Sequence, residues 1–464
     1  MSDDAAVADP DIESRSLLNR ITGFFVFLFE RIMPDPFIFA ILLTFVGAGL
    51  ALLLVPGTRM TTIAAGWYGG VFNIFTFAFQ MVIMLIAGYT LATSPLVHRG
   101  LEKIASSVST PRAAISLTVV VSVVACWLNW GLGLVTAALL AREIAKRVRI
   151  DFGWLVGAAY TGFVVSTEGI SGSIALSQAT HGSVLNIVEK VTGRCLPLTE
   201  TVFTAFNLVP VLIVLAVMPI LFRFQQPTAA RTMVADPERL REEDRLRAPR
   251  ETEGTLSAWL DNAWIFNLLL AAFAGFALVT IWRAHGFAIE LNSVILLLIT
   301  AGLVLHWRPS AYVAAVKNAA RVSGSLVLQY PLYGGLMGII TSTGLAAVLS
   351  KAFIGFSNAH TLPFFTYLTS MIITFFIPSG GGLWAVQGTF AIPAANSLHA
   401  SLAATTMAVA QGESVSNMLQ PFWALPILAI AGIKMRQMMG FMVITFLVSF
   451  IAYGFGLLFL VHVP

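Results

Sequence analysis

The chain has 464 residues, of which 57% are hydrophobic and only 11% are charged, and its mean hydropathy is +0.84. A water-soluble domain of this length needs a much more polar surface, so the composition excludes one and predicts a multi-pass membrane protein built from α-helices. The net charge of +4 lies in polar loops, where it bears on orientation in the bilayer. A nucleic-acid partner is not expected.

The predicted elements begin with an acidic, polar tail at 1–16, which we do not expect to be a signal peptide. The segment 17–33 is too short to span a bilayer and is expected to lie in the interface as a helix. The mixed-charge stretch 223–258 predicts a cytoplasmic linker between a first membrane repeat, 17–222, and a second, 259–464. Apolar runs of roughly 20 residues, long enough to cross a bilayer, lie at 37–55, 71–92, 202–222, 263–281, 322–340 and 439–460.

Lysine and arginine are concentrated on one side of the predicted topology, as expected for cytoplasmic loops. With a cytoplasmic N-terminus and a periplasmic C-terminus, 22 of the 27 basic residues face inward. The five that face outward are Arg59, Lys190, Arg194, Arg283 and Lys351. This alternation works only if two segments enter the membrane and return to the same side, so we predict re-entrant hairpins at about 112–141 and 362–398. Two short spans would satisfy the charges of the first segment equally well.

Four interruptions of the apolar sequence stand at corresponding places in the two halves. The hairpins have polar breaks at their tips, Asn129-Trp130-Gly131 in the first and PSGGG (378–382) in the second. Broken helices follow, at about 153–180 with STEGISGS (166–173) and at about 401–433 with QGESVSN (411–417). Because the charges give the halves opposite orientations, the pattern predicts two inverted-topology repeats, an architecture typical of secondary transporters.

Irregular backbone at membrane depth must be buried in protein or line a polar cavity. Close helix packing explains a single glycine-rich break equally well, whereas four matching breaks favour a binding site. A helix that begins within the membrane attracts an anion to its free N–H groups, while carbonyl groups at a half-helix C-terminus would hold a cation such as sodium near the hairpin tips. The neutral polar side chains at the breaks are Asn129, Ser166, Ser171, Ser173, Ser379, Ser414, Ser416 and Asn417.

The predicted spans contain no lysine or arginine at depth, which argues against a site for di- or trivalent anions and favours a small monoanion. Several aromatic residues near the breaks are candidates for an apolar wall that takes a short alkyl chain. Packing or an interfacial position is the more common role for any one of them. They are Trp127, Trp130, Trp384, Phe390 and Trp423.

Two carboxylates stand at corresponding places in the broken helices, Glu168 in the first half and Glu413 in the second. Carboxylates within a membrane are costly and indicate ion or proton handling. We favour Glu413, which adjoins Gly412, Ser414 and Asn417, as the carrier of a coupling proton or cation, with Ser414 beside it. Glu168 is a second candidate for ion coupling, and either carboxyl group can instead be satisfied structurally by its own loop.

Several blocks of the sequence resemble the short-chain fatty acid transporter family, of the type that takes up acetoacetate and butyrate in bacteria. The resemblance extends from about residue 17 to the C-terminus. The family is grouped with the ion-transporter superfamily of two-hairpin carriers, which agrees with the hairpins predicted above. The main blocks are MPDPFIFAILLT (33–44), NWGLGLV (129–135), GISGS (169–173), LNSVILLLITAGLVLH (291–306), IPSGGGLWAVQG (377–388), AIPAANSL (391–398) and QPFWALPILAIAG (420–432).

The resemblance implies an alternating-access carrier in the bacterial inner membrane, of the elevator or rocking type, in a family whose relatives are often dimeric. It places Glu413 at the centre of the site. Glu168 and Ser166 are not features of the family, so a role for them rests on this sequence alone. The family motifs place the centre of the site at Asn129, Gly131, Ser171, Gly172, Ser173, Ser379, Gly380, Gly381, Gly382, Gln387 and Asn417.

Together these features predict a secondary active transporter for short-chain fatty acids or related small monocarboxylates, coupled to protons or sodium, without enzymatic activity or a cofactor. The same scaffold carrying dicarboxylates, or acting as a sodium/proton antiporter, is an alternative, and a passive channel is another. An intramembrane enzyme is the most remote, because no HExxH or GxSxG motif occurs. Cys126 and Cys195 indicate no disulfide framework, and no zinc or c-type haem motif is present.

Overall fold

The residues that the computed structural model describes are Phe24, Phe27, 35–227, 233–247, 255–420 and 422–462. The predicted polar tail and most of the predicted interfacial helix at 17–33 lie outside them. In the part described, the chain is helical and forms no named β-strand, although one isolated antiparallel bridge joins Asp151 to Val234.

Ten helices form the described part of the first half, and a 3₁₀ turn at Gly162–Val165 continues the seventh. They are α1 Pro36–Leu54, α2 Met60–Asn73, α3 Phe75–Ala92, α4 Pro95–Ser106, α5 Pro111–Leu128, α6 Trp130–Ala145, α7 Phe152–Thr161, α8 Ser173–Ala179, α9 Ile187–Thr192 and α10 Ala205–Phe224.

Twelve helices follow in the described residues of the linker stretch and the second half, with a 3₁₀ turn at Met435–Gln437 before the last. They are α11 Pro237–Arg247, α12 Leu256–Asn262, α13 Trp264–His285, α14 Leu291–His306, α15 Pro309–Ala320, α16 Gly324–Ser342, α17 Leu345–Phe356, α18 Leu362–Thr374, α19 Gly380–Ser397, α20 Leu402–Ser416, α21 Ala424–Ala431 and α22 Met439–Phe459.

Six helical segments of the described chain are long and apolar enough to cross a membrane, or seven if α16 and α17, which meet at 79°, count as one bent span. The six are α1, α2 continued by α3, α5, α10, α13 and α22. This confirms the predicted class, an all-α protein with several membrane spans. Only 17% of the apolar window of α1 and 22% of that of α13 is buried, compared with 50% for α22, so α1 and α13 lie at the periphery.

The order of elements recurs in the two halves. A long apolar helix, α3 or α16, is followed by a short amphipathic helix, α4 or α17, and then by two helices joined at a tight break. An interrupted helix comes next, α7–α8 in the first half and α20–α21 in the second, and a full-length span, α10 or α22, closes each half. This order matches the pattern of interruptions in the sequence.

The segment predicted as the first hairpin forms α5 and α6, which pack together and are separated by Asn129 alone. Pro111 opens α5, where the N–H that proline lacks has no helical partner to lose. Asn129 is extended, with φ −155° and ψ 126°, and its Oδ1 caps α6 by accepting the N–H of Leu132 at 2.8 Å. The break therefore needs no loop, and α6 begins inside the protein.

The structure corrects the position of the break that the sequence predicts at 411–417. Helix α20 continues through Ser416, and Asn417 is its C-cap residue. The glycine in this stretch has a packing role, because a Cβ on Gly412 would lie 2.6 Å from the backbone oxygen of Tyr367 and from the Cβ of Ser370 in α18. Glu413 is consequently held on a regular helix.

A close backbone contact joins α2 and α16, one helix from each half. Gly66 and Gly70 in α2 face Gly338 and Gly334 in α16, and a Cβ on either α2 glycine would collide with the backbone of the opposite one. Small residues four positions apart allow membrane helices to approach this closely. These four glycines form what we call the glycine seam between the halves.

Two ends of the bundle can be distinguished from hydrogen bonds at the start of α7. The Phe152 N–H donates to Met233 O at 2.8 Å, and Trp154 Nε1 donates to Phe222 O, near the end of α10, at 3.0 Å. We call this the linker end. Helix α10 has 20 residues, and at about 1.5 Å per residue it is roughly 30 Å long. The loop 180–204, which precedes its first residue, therefore lies at the opposite end of the bundle, which we call the far end.

Candidate functional site

The interrupted segments of both halves surround a small cavity inside the protein. Its walls come from α3, α6, α16 and α20, from the starts of α8 and α19, from the 3₁₀ turn after α7, and from nonhelical residues that follow this turn and α20. Its volume is about 30 Å³. The lining residues are Met81, Trp130, Phe163, Ser166, Thr167, Ser173, Leu326, Tyr330, Ser379, Gly380, Glu413 and Trp423.

The volume and lining of the cavity limit what can enter it. A space of about 30 Å³ admits a water molecule but no organic acid, so the surrounding elements must separate before such a molecule binds. Glu413 is the one charged side chain among the lining residues, and the other polar side chains there are hydroxyls or an indole. The walls therefore offer neutral hydrogen-bond partners, an apolar surface and a single carboxyl group.

Helix α19 begins at this cavity. Ser379 is its N-cap residue, but the side chain makes no bond to the helix; its Oγ instead donates to Tyr330 OH at 3.1 Å. The first N–H groups of a helix have no partner within it and carry a partial positive charge. The three glycines 380–382 form this first turn, so no side chain separates its backbone from a neighbouring anion.

Glu413 lies against the start of α19. Its side chain is almost fully buried, and its Oε1 accepts from Asn417 Nδ2 at 3.4 Å. A Cβ on Gly380 would lie 2.7 Å from Glu413 Oε2 and 2.9 Å from Ser173 Oγ. Among the described residues, Oε2 has no hydrogen-bond partner. The carboxyl group thus occupies the place where the positive potential of α19 is greatest.

The interruption of the first half packs on the break between α5 and α6. Ser171 Oγ accepts the N–H of Trp130, the first residue of α6, at 3.1 Å. The Ile170 N–H donates to Trp127 O at 2.9 Å, and a Cβ on Gly169 would collide with the same carbonyl. These contacts place the start of α6 and the start of α8 beside one break.

Glu168 is also buried and faces the interrupted helix of the other half. Ser414 Oγ donates to its Oε2 at 3.1 Å, and Thr167 Oγ1 lies 3.1 Å from its Oε1. Thr167 and Ser414 are themselves in hydrogen-bond contact. The hydroxyls of Thr167 and Ser414 therefore connect Glu168 to α20 beside Glu413. Both carboxyl groups belong to one buried polar cluster.

The predicted site residues fall into three groups. Those that line the cavity are Ser166, Ser173, Ser379, Gly380 and Glu413. Those whose side chains hydrogen-bond to lining residues are Glu168, Ser171, Ser414 and Asn417. Those that neither line the cavity nor make such a side-chain bond are Asn129, Gly131, Gly172, Gly381, Gly382, Gln387 and Ser416.

The residues of the third group hold neighbouring helices in place. Asn129 Nδ2 donates to Met84 Sδ in α3 at 3.5 Å, in addition to capping α6. Gln387 Nε2 donates to Thr366 O at 2.9 Å, which joins α19 to α18. A Cβ on Gly381 would collide with the ring of Phe77, so this glycine permits close packing between α19 and α3.

Two of the candidate aromatic residues line the cavity, and three do not. Trp130 and Trp423 meet edge to face with ring centroids 5.4 Å apart. Trp384 donates its indole N–H to Leu185 O at 2.9 Å outside the cavity. Phe390 and Trp127 pack on other aromatic rings, Phe353 and Phe203 respectively. Of the aromatic residues predicted for the apolar wall, one tryptophan from each half therefore lines the cavity.

Sequence analysis missed five of the lining residues. Thr167 lies within the predicted break at 166–173, so its hydroxyl was detectable as a polar group at that position. Tyr330 lies inside a continuous apolar helix, and no local pattern distinguishes it from a packing residue. The missed apolar lining residues also show no sequence pattern that would distinguish them from packing residues. The five are Met81, Phe163, Thr167, Leu326 and Tyr330.

Two solved transporter structures are similar to this chain. The crystal structure of the Alcanivorax borkumensis YdaH transporter, which has an unusual topology, gives a TM-score of 0.56 at 17% sequence identity and covers 94% of this chain and 97% of that one. The structure of Neisseria gonorrhoeae MtrF, from a class of antimetabolite efflux pumps, gives 0.51 at 15% identity and covers 96% and 99%. At these identities the likeness shows a shared fold.

Two bacterial proteins named for short-chain fatty acid transport are similar over almost their whole length. The Escherichia coli protein is 38% identical over 442 residues, covering 95% of this chain and 99% of its own. The Haemophilus influenzae protein is 34% identical over 448 residues, covering 96% and 100%. The family model described as short chain fatty acid transporter matches residues 17–460. The chain therefore belongs to the short-chain fatty acid transporter family.

Proposed function

We propose that this protein is a secondary active transporter that moves short-chain fatty acids or related small monocarboxylates across the bacterial inner membrane, coupled to protons or sodium. Membership of the family supports the substrate class, for which both relatives are named. The single observation on which the mechanism rests is the position of Glu413 Oε2 beside Gly380, at the start of α19 and in the wall of the cavity.

The start of α19 is positioned to serve both substrate and coupling ion. Its partial positive charge attracts a carboxylate, and Glu413 already supplies one carboxyl group there. An ionised Glu413 would repel a substrate carboxylate at close range, in surroundings that screen charge poorly. A proton on Glu413, or a sodium ion between the two carboxylates, removes this repulsion. Substrate and ion therefore favour each other's binding, which is the requirement for symport.

The lining of the cavity favours a monocarboxylate over a dicarboxylate. Trp130 and Trp423 offer an apolar wall for a short alkyl chain. A second carboxylate on the substrate would be buried among these groups without a lysine or arginine in the lining, and burial of an unpaired charge is costly. The dicarboxylate alternative is thus disfavoured by the same residues that suit a fatty acid.

Alternating access would come from movement of the hairpins and interrupted helices. The cavity is bounded by elements of both halves, so a relative displacement of these elements opens it to one side or the other. The glycine seam brings backbone into contact with backbone, and we assign it to the part that stays fixed. Residues 17–222 and 259–464 are the proposed inverted repeats. In the proposed orientation the linker end lies in the cytoplasm and the C-terminus in the periplasm. The proposed assembly is a homodimer.

Uptake into proteoliposomes tests this function. Accumulation of labelled butyrate is measured with a proton gradient and a sodium gradient imposed separately, and protein-free liposomes serve as the control. We expect saturable accumulation driven by one of the gradients and no accumulation of a four-carbon dicarboxylate. Uptake that does not saturate would indicate a channel. Folded protein that accumulates butyrate under neither gradient would contradict the proposal.

A further inference from the structure

Three side chains of metal-ligating type lie together at the far end, outside the transport cavity. His181, Glu189 and Cys195 belong to the loop 180–204. An imidazole nitrogen, a carboxylate oxygen and the Cys195 Sγ all lie within 4.8 Å of one another. His181 is exposed, whereas Glu189 and Cys195 are partly buried, so an ion from solution can reach the cluster from its His181 side.

Local hydrogen bonds hold two of these side chains in place. Asn186 is fully buried; its Nδ2 donates to Cys195 Sγ at 3.3 Å, and its Oδ1 caps α9 by accepting the Glu189 N–H at 3.0 Å. Gly193 ends α9 with a φ of 76° and turns the chain back, so that Cys195 returns beside the helix. Glu189 Oε2 accepts the N–H of Gly182 at 2.9 Å. Asn186 thus orients the Cys195 thiol, and the Gly182 N–H holds the Glu189 carboxylate.

The third side chain, His181, contacts the other oxygen of the Glu189 carboxylate. Its Nδ1 pairs with Glu189 Oε1, and its side chain is 87% exposed. An ion pair this exposed contributes little to stability, and the imidazole has space to turn. The cluster therefore has two oriented groups and one adjustable group.

We propose that His181, Glu189 and Cys195 form a zinc site, with water as the fourth ligand. Zinc accepts nitrogen, sulfur and oxygen ligands in tetrahedral geometry, whereas calcium and magnesium select oxygen. Zinc–ligand bonds of roughly 2.0–2.3 Å place neighbouring ligand atoms about 3.5 Å apart. Rotation of His181 together with a small contraction of the cluster, whose ligand atoms lie within 4.8 Å, produces that spacing. The sequence shows no zinc motif because the spacing of the three residues matches none of the usual ones.

The site is connected to elements that line or support the transport cavity. Trp384 Nε1 in α19 donates to Leu185 O at 2.9 Å, and the Leu291 N–H at the start of α14 donates to Thr180 Oγ1 at 3.0 Å. Zinc would stiffen the loop that carries these contacts. Slower uptake in the presence of zinc is a consequence that rests on the proposed transport function, whereas the zinc site itself does not.

Zinc binding to the purified full-length protein in detergent tests the inference, with a fluorescent chelator as competitor. We expect one Zn²⁺ per chain, and an affinity lowered by at least about tenfold in His181→Ala and in Cys195→Ser. His181 is exposed, so its removal leaves folding unaffected. His360→Ala and Cys126→Ser, which change residues outside the cluster, are the matched controls and should bind zinc like the wild type.

Cobalt gives an independent readout of the ligand set. A thiolate-to-cobalt absorption band should appear on titration of the wild type and of Cys126→Ser, and it should be absent from Cys195→Ser. Failure of the wild type to bind one zinc ion would overturn the inference. Zinc affinity that is unchanged in both His181→Ala and Cys195→Ser would overturn it as well.

Discussion

Glu413 and the backbone of Gly380 lie so close that the carboxyl group and a substrate anion would share one helix N-terminus. The other carboxylate oxygen accepts from Asn417, and Asn417 O accepts from Tyr160 OH, in α7, at 3.0 Å. These two hydrogen bonds connect Glu413 through Asn417 to α7, part of the interrupted helix of the opposite half. At the residue scale, the proposed mechanism depends on this one side chain and its immediate neighbours.

Glu413→Gln should uncouple uptake from the ion gradient. Glutamine has a similar size but neither exchanges a proton nor offers a charge to sodium. We expect gradient-driven accumulation of butyrate in proteoliposomes to fall by at least about tenfold, in line with typical coupling free energies. Glu102→Gln, at an exposed position, is the control and should behave like the wild type. Unchanged accumulation with unchanged pH and sodium dependence in Glu413→Gln would show that the assigned role is wrong.

Tyr330→Phe should weaken substrate binding while leaving the fold intact. The change removes the hydroxyl that accepts from Ser379 at the start of α19 but keeps the ring contact with Phe77. Loss of one neutral hydrogen bond predicts a KM for butyrate raised by about two- to tenfold. Tyr333→Phe is the matched control, because its hydroxyl donates to Gln329 on the same helix and does not line the cavity. An equal rise in KM for both variants would argue against a local effect.

At the scale of elements, the start of α19 is the most sensitive point of the proposed mechanism. In Gly380→Ala the new Cβ would displace Glu413 Oε2 and Ser173 Oγ, which it would approach to 2.7 and 2.9 Å. Both atoms lie at the ends of side chains, so the protein should still fold, while gradient-driven uptake should be lost. Thermal unfolding and uptake are measured together. Gly275→Ala, in α13 with no neighbouring atom near its Cβ, should affect neither quantity, and full uptake in Gly380→Ala would contradict this use of α19.

Interruptions of helices were predictable where their cause is local. Pro111 begins α5 and Asn129 caps α6 through contacts within a few residues of each position, and such preferences are visible in sequence. Gly412 was misassigned to a helix break. A glycine is needed there because α18 approaches closely, and only the folded protein shows this contact. Tyr330 was missed for the same reason, since its place in the cavity results from packing between distant elements, whereas Thr167 lies in a break that the sequence does show and was overlooked there.

At the scale of the whole molecule, the two cysteines allow the proposed orientation to be measured. Cys126 is buried, and Cys195 is partly exposed at the far end. A membrane-impermeant maleimide added to intact spheroplasts with a chelator present should label the wild type and Cys126→Ser, but not Cys195→Ser. Burial and the neighbouring Glu189 raise the pKa of the Cys195 thiol, and the thiolate is the reactive form, so labelling should be faster at pH 8 than at pH 7. Labelling that requires permeabilised membranes would invert the orientation.

The glycine seam joins α2 to α16 by contact between backbones, while the covalent connection between the halves is a polar stretch of the chain. Contacts of this kind associate membrane helices that belong to separate polypeptides. The protein should therefore tolerate division into two fragments, and co-expressed 1–230 and 231–464 should copurify and restore butyrate uptake. Gly70→Leu should reduce copurification, whereas Gly69→Leu, directed into open space, should not. Recovery of the complex would mean that complementary surfaces, without covalent continuity, suffice to pair the two halves.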